Sequence, residues 1–177
     1  MKNCLLLILV PLLLLSCKSK KVSLAANDEQ VDVSEFLEGF PPLKLPYGAT
    51  DTILRRKEPE AAVLNYKLFT RFVPDSVITH LFGREAHPHL YAIGRIKVPK
   101  AETYLFVKGV QKDRRALYLV CFSKKDRFAA ARPVLYSDNE SGVTARVDMD
   151  PKYTITLLHE RKTGAGVIYH KDSYVFN

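Results

Sequence analysis

The sequence predicts a mainly β fold, an antiparallel meander with one short helix. Residues 104–107 and 117–122 are apolar at consecutive positions, as in central strands that are covered on both faces. Residues 143–149 and 153–157 alternate apolar and polar side chains, which is the period of a strand with one exposed face. Short polar turns separate the runs, as is typical of antiparallel strands. A sandwich, an open barrel and propeller-like blades all fit this pattern. The turns are predicted at 111–115, 124–127, 137–142 and 161–166.

Shorter signals predict the elements before residue 104. Residues 35–48 contain three prolines, which favour an extended segment packed along the domain. Residues 61–72 are predicted to add a strand to the sheet. The helix is predicted over residues 74–83, because Asp75 or Ser76 can cap its first amides and Gly83 can end it in a left-handed conformation. Its apolar stripe has helical spacing and consists of Val77, Ile78, Leu81 and Phe82.

Length and composition fit one folded domain. The chain has 177 residues, and with 47% hydrophobic residues it is too apolar for a disordered protein. Its 8 glycines and 10 prolines are scattered, which excludes collagen-like and low-complexity material. The three cysteines, at positions 4, 17 and 121, cannot form a disulfide framework. Cys121 lies in an apolar run and is expected to be a small buried side chain without special reactivity.

The first 17 residues carry the most specific signal. Lys2 precedes an apolar run at residues 5–15, which is too short to cross a bilayer and has the length of a signal-peptide core. The run ends in Leu14-Leu15-Ser16-Cys17, which resembles the lipobox of bacterial lipoproteins. Leu15 is bulkier than the small residue usual at its position. An uncleaved anchor helix and an ordinary secretory signal are the alternatives.

The resemblance implies a processing pathway and a location. The sulfur of Cys17 would receive a diacylglyceryl group, a signal peptidase would cut before it, and the new amine would be acylated. Residues 1–16 would then be the signal peptide, residues 17–34 the lipidated cysteine and a flexible tether, and residues 35–177 a single β-rich domain. Several acyl chains on one residue suffice for stable membrane anchoring. The absence of Asp at position 18 favours the outer membrane, with the domain facing the periplasm.

The wider resemblance is to small lipoproteins of Bacteroidota-type bacteria. The polar lysine-rich segment after Cys17 and the β-rich body are also typical of these proteins. Many of them have no assigned activity, so the resemblance implies no catalytic residue and no cofactor.

Positive charge is predicted to collect at one end of the sheet. The formal charge of +8 becomes +7 when the leader, with its single Lys2, is removed. In a meander the turn at 124–127 lies at the same end as the turn after residue 97, whereas the turn at 111–115 lies at the other end. Contact with anionic lipid or glycan is one interpretation of this end, and a merely solvated surface is the other. Its predicted cations are Lys97, Lys100, Lys124, Lys125 and Arg127.

Nucleic acid is not an expected partner. The aromatic residues are mostly at positions that face the predicted core, whereas single-strand binding surfaces interleave aromatic and basic side chains. An exported protein also rarely meets nucleic acid.

His80, His87 and His89 are the only cluster with the chemistry of a metal ligand set, with Glu85 between them. Pro88 restricts the backbone, and the spacing matches no zinc motif, so no metal is predicted. His159-Glu160 begins like the zinc-protease motif H-E-x-x-H, but Thr163 replaces the second His. The glycines at 164 and 166 fit a hairpin turn and not a dinucleotide loop.

Two hypotheses for function follow. The first is a lipid-anchored, non-catalytic module that binds an envelope protein, glycan or lipid through its loop ends. The second is an envelope hydrolase with its site near His80, Glu85, His87 and His89.

Overall fold

The structure is a computed structural model that describes residues 23–27, 29–137 and 143–174. The leader, Cys17 and most of the predicted turn at 137–142 lie outside the described residues.

The described strands form two antiparallel sheets, which confirms the predicted mainly β fold. Sheet A has the strand order β2-β3-β4-β5-β6, and sheet B has the order β1-β7-β8-β9. The two sheets are open and pack face to face, as in a sandwich. The strands are β1 Tyr47–Thr50, β2 Val63–Leu64, β3 His89–Lys97, β4 Thr103–Gln111, β5 Arg114–Phe122, β6 Phe128–Tyr136, β7 Val143–Met149, β8 Ile155–Thr163 and β9 Gly166–Tyr174.

Strands β4 and β5 are buried on both faces, as predicted from their continuous apolar runs. Their alternate side chains enter two different cores. Leu105 and Tyr118 pack against the helices, whereas Phe106 and Leu119 pack against sheet B. Each fully buried apolar side chain of this size contributes about 1.5–3 kcal/mol. The molecule is therefore layered as helices, sheet A and sheet B.

Three of the four described helices cover the face of sheet A that sheet B leaves free, whereas the short helix at Thr52–Arg55 packs in the core between the two sheets. The predicted helix is found as α4, and Gly83 ends it with a φ of 104°. Asp75 does not cap it, because its carboxylate accepts a hydrogen bond from the Tyr66 hydroxyl instead. The helices are α1 Val33–Gly39, α2 Thr52–Arg55, α3 Tyr66–Phe72 and α4 Ser76–Phe82, with a 3₁₀ turn at Glu60–Ala62.

The predicted strand at residues 61–72 is wrong. Only the two residues of β2 are strand, and α3 follows them. The Asn65 side chain accepts a hydrogen bond from the Leu68 amide at 3.1 Å, which caps α3 at its start. Leu68 and Phe69 face the core. The run of apolar residues therefore serves a helix, and Asn65 marks its start.

The predicted extended segment at residues 35–48 begins later than expected. Helix α1 occupies its first part, because Asp32 and Glu35 form a reciprocal capping box. The Glu35 amide donates to Asp32 Oδ1 at 2.8 Å, and the Asp32 amide donates to Glu35 Oε2 at 3.1 Å. The extended conformation starts only after the helix, where the Arg95 amide donates to the Pro41 carbonyl at 2.8 Å.

The compact body also begins earlier than the predicted boundary at residue 35. Leu24 is 6% exposed and Val31 is 4% exposed, and both belong to the core beside the helices. The Leu24 carbonyl accepts from the Asn65 amide at 2.7 Å. Its side chain lies against Gly39, where an added Cβ would approach Leu24 Cδ2 to 2.7 Å. A tether from Cys17 is therefore shorter than the predicted 17–34.

Candidate functional site

The predicted basic end of the sheet is formed by two neighbouring turns. Lys97 on β3 pairs with Thr103 on β4, and Thr103 pairs with Phe122 on β5, so the turns 98–102 and 123–127 lie at the same end of sheet A. We call the exposed cations of this end the rim: Lys97, Lys100, Lys124, Lys125 and Arg127.

Backbone hydrogen bonds fix both rim turns. In the first, the Val98 amide donates to the Glu102 carbonyl at 2.9 Å, and Lys100 has a φ of 61°. A positive φ after a proline is typical of a position that favours glycine. In the second turn Asp126 has a φ of 53°, and the Ser123 amide donates to the Arg127 carbonyl at 2.8 Å. The turns hold their lysines at the end of the sheet at a backbone cost of about 1 kcal/mol for each left-handed residue.

A small polar cleft opens between α1 and the rim. Arg95 Nη2 lies 2.5 Å from Glu38 Oε2, and Arg95 Nη1 donates to the Leu37 carbonyl at 3.3 Å. The hydrogen bond from Arg95 holds the pKa of Glu38 below its usual value. Lys97 Nζ lies 3.8 Å from Glu38 Oε1. The cleft is lined by Ser34, Leu37, Glu38, Arg95, Lys97, Thr103 and Asp126.

The outer cations of the rim differ from those of the cleft. Among the described residues, Lys100, Lys124 and Lys125 make no ion pair, whereas Lys97 shares Glu38 with Arg95. The outer lysines therefore face solvent without a neighbouring carboxylate in an ion pair, where they can meet an anionic partner.

The structure does not assemble the predicted histidine cluster into a site. His80 lies on α4, and Glu85, His87 and His89 lie on the surface before or at the start of β3. The His87 ring packs edge-on against Tyr66, with ring centroids 4.9 Å apart. Within the described ranges, no three His, Cys, Asp or Glu side chains are placed to hold a metal ion.

A buried ionic network was not predicted from the sequence. The Lys108 side chain is 2% exposed, and its Nζ donates to the Arg56 carbonyl at 2.5 Å and to Glu58 Oε1 at 3.2 Å. Arg56 donates to the same carboxylate from Nε and from Nη2, at 3.2 and 2.9 Å. Burial lowers the pKa of Lys108, while the contact with Glu58 opposes this shift. The network fastens residues 56–58 to β4. The only sequence signal was a lysine inside an apolar strand.

A second buried polar group is the Tyr118 hydroxyl. It is fully buried and has no hydrogen-bond partner among the described residues. Nearby, the Tyr66 hydroxyl donates to Asp75 Oδ1. Burial raises the pKa of both tyrosines, so both hydroxyls stay protonated at neutral pH.

The prediction that Cys121 is a small buried side chain is confirmed. It is 2% exposed in the core between the sheets. Burial raises the pKa of its thiol to about 11, so the thiolate is scarce at neutral pH.

The β8–β9 hairpin extends beyond the core as an exposed arm, which we define as residues 161–171. Strand β9 is the edge of sheet B. Three apolar side chains on it are exposed: Val167 by 44%, Ile168 by 59% and Tyr169 by 62%. The hairpin turn predicted at 161–166 is shorter than expected, because pairing continues to Thr163 and Gly166. The glycines at 164 and 166 predicted a hairpin here but did not indicate that its end would be uncovered.

Comparison with protein-family models, curated proteins and solved structures finds no match to this chain. No helix in the part of the chain that the structure describes is long and apolar enough to cross a membrane.

Proposed function

We propose that this protein is a lipid-anchored lipoprotein of the bacterial cell envelope, and that its β-rich domain is a non-catalytic binding or accessory module. The anchor is the lipid on Cys17, and the location is the outer membrane, with the domain facing the periplasm. The short apolar leader that ends in Leu14-Leu15-Ser16-Cys17 supports the anchor. The partner is an envelope protein, glycan or lipid surface of negative charge.

One observation carries the binding part of this proposal. The register of sheet A sets two rigid turns side by side, and their outer lysines have no carboxylate partner among the described residues. Cations displayed in this way attract an anionic surface over about 10 Å, and salt weakens the attraction. The same end contains the cleft in which Glu38 already neutralises Arg95, so the outer lysines are the better contact residues.

Metabolic labelling tests the anchor. Cells that express the full chain are supplied with a fatty-acid analogue, and the label on the purified protein is measured. The wild type is expected to take up the label, and Cys17→Ser is expected to lose it, because the acceptor sulfur is gone. Cys121→Ser is the matched control and should keep the label, since Cys121 is buried in the core. Equal labelling of wild type and Cys17→Ser contradicts the anchor.

A polyanion column tests the rim. The variant Lys100→Gln/Lys124→Gln/Lys125→Gln is compared with Lys44→Gln/Lys57→Gln/Lys67→Gln, which removes the same charge from exposed positions elsewhere. On a sulfated polysaccharide resin the rim variant is expected to bind about 100-fold more weakly at low salt than wild type, since each lost contact costs about 1 kcal/mol. Elution of both variants at the same salt concentration rejects the rim as the contact surface.

A further inference from the structure

The N-terminal segment leaves the body where Leu24 lies between Asn65 and Gly39. The Leu24 carbonyl accepts from the Asn65 amide, and Asn65 directly follows β2. Within sheet A, Leu64 of β2 pairs with Leu90, and Leu90 pairs with Gly109 near the end of β4. The Leu24 backbone therefore lies toward the end of sheet A where β4 turns into β5, while its side chain contacts Gly39 at the end of α1.

The arm points to this same end. The Tyr47 ring at the start of β1 lies beside Phe106, with centroids 4.6 Å apart, and the chain then runs on to Arg56, whose carbonyl contacts Lys108. Strand β1 thus runs from the middle of sheet A away from the rim. Because β7 is antiparallel to β1 and β8 is antiparallel to β7, β8 also runs away from the rim. The arm, at the end of β8, is at the end where Leu24 is held.

The chain between Cys17 and Leu24 links the body to the proposed lipid. Seven residue steps from Cys17 to Leu24 span at most about 25 Å. Strand β4 has nine residues, so the two ends of sheet A lie about 26 Å apart. A lipid on Cys17 therefore leaves the arm end within reach of the bilayer.

The arm has the chemistry of a membrane-surface contact. Strand alternation places Val167 and Tyr169 on one face and Ile168 on the other. Lys162 pairs with Val167, and Arg161 pairs with Ile168. Residues 161–171 include Arg161, Lys162 and Lys171, and the neighbouring carboxylates are Glu160, which pairs with Tyr169, and Asp172, which contacts His170 at 3.3 Å. Tyrosine is favoured at the level of lipid headgroups, and each cation near an anionic surface contributes about 1 kcal/mol.

We propose that the arm contacts the membrane that holds Cys17, with Val167, Ile168 and Tyr169 entering its headgroup layer. The inference rests on the proposed lipid anchor and adds an orientation to it. The arm end faces the anionic bilayer, and the rim points away from it. The rim is then free to bind a partner across the envelope.

Single-tryptophan variants of the full lipidated chain test the orientation, because the natural chain contains no tryptophan. Tyr169→Trp and Lys125→Trp are reconstituted into vesicles of phosphatidylethanolamine and phosphatidylglycerol, with and without brominated acyl chains. Tyr169→Trp is expected to shift its emission to the blue and to lose about half of it to bromine, as at an insertion depth of about 5–10 Å. Lys125→Trp is expected to show neither change. Ile168→Trp is the second arm variant, and circular dichroism confirms that all three are folded.

The outcomes separate the two proposals when the fatty-acid label is measured on the same preparations. An unlabelled protein refutes the anchor and this orientation together. A labelled protein in which the arm variants are unquenched, or in which Lys125→Trp is quenched instead, overturns the orientation alone. A blue shift of Tyr169→Trp that bromine does not quench also overturns it, because a second copy or another protein then covers the arm.

Discussion

The Tyr118 hydroxyl lies in the core between sheet A and the helices, where no described residue accepts a hydrogen bond from it. A buried polar group without a partner costs about 1–3 kcal/mol. The aromatic ring offsets this cost, since it is fully buried and lies 6.4 Å from the Phe82 ring. Tyr66 differs, because its hydroxyl donates to Asp75.

Replacing Tyr118 with Phe is therefore expected to leave the free energy of unfolding unchanged or to raise it by up to about 1 kcal/mol. Tyr66→Phe, the matched control, is expected to lower it by about 1 kcal/mol because a charged acceptor loses its donor. Urea unfolding at neutral pH measures both. A loss of more than about 1 kcal/mol in Tyr118→Phe shows that the hydroxyl has a stabilising partner, such as an ordered water, and contradicts this account.

Individual side chains were predictable from the sequence where their neighbours in the chain decide their environment. Cys121 is such a residue, because an apolar strand on both sides of it implies burial. Lys108 also lies in an apolar strand, yet its partners are 50 and 52 residues away, at Glu58 and Arg56. Local pattern cannot identify partners at that separation. The left-handed backbone of Lys100 was also not predictable from the sequence, because lysine disfavours the positive φ that the turn requires.

At the scale of elements, the Lys108 network explains how residues 56–58 stay on the sheet. Lys108 Nζ and Arg56 both hold the Glu58 carboxylate, whose side chain is 3% exposed. Removing one charge from a buried pair leaves its partner uncompensated, which commonly costs about 3–5 kcal/mol. Here Arg56 remains beside Glu58, so part of the compensation survives.

We expect Lys108→Met to lower the free energy of unfolding by about 2–4 kcal/mol. The double variant Lys108→Met/Glu58→Gln is expected to lose less than the sum of the two single variants, because neither charge is then left alone. Chemical unfolding of all four proteins completes the cycle. Arg55→Met, at the exposed ion pair with Asp51, is the control and should cost less than about 1 kcal/mol. Strict additivity of the two buried substitutions would show that they are not energetically coupled.

Elements with a strong repeating pattern were predicted, whereas two of the three seven-residue helices were not. Continuous apolar runs located β4 and β5, alternation located β7 and β8, and the stripe before Gly83 located α4. Helices α1 and α3 are as short as α4, with seven residues each, but their residues were assigned to an extended segment and to a strand. Their cap residues, Asp32 with Glu35 and Asn65, were the signals that could have identified them.

At the scale of the whole molecule, the two ends carry different chemistry. The rim presents lysines on rigid turns, and the arm presents apolar side chains beside cations. The meander rule alone predicted that the rim turns share one end. The direction of the arm was not predictable, because it depends on how sheet B packs on sheet A. That His80, His87 and His89 form no ligand set among the described residues likewise depends on tertiary packing.

The proposed N-terminal anchor would relate these ends to the envelope. Leu24 is held beside Gly39 and Asn65, so a lipid on Cys17 would keep Leu24 within about 25 Å of its anchor. Without that lipid, the length of the link to Cys17 has no consequence. The distances of the rim and the arm from a bilayer then have none either. The lipid on Cys17 is therefore the claim on which the functional account depends.

Intact-mass spectrometry of the protein extracted from membranes tests this claim most directly. The account predicts a chain of residues 17–177 whose Cys17 carries a diacylglyceryl group, with or without an acylated amine, and a single free thiol, at Cys121. A mature protein that retains residues 1–16, or one that begins near Cys17 with an unmodified sulfur, contradicts it.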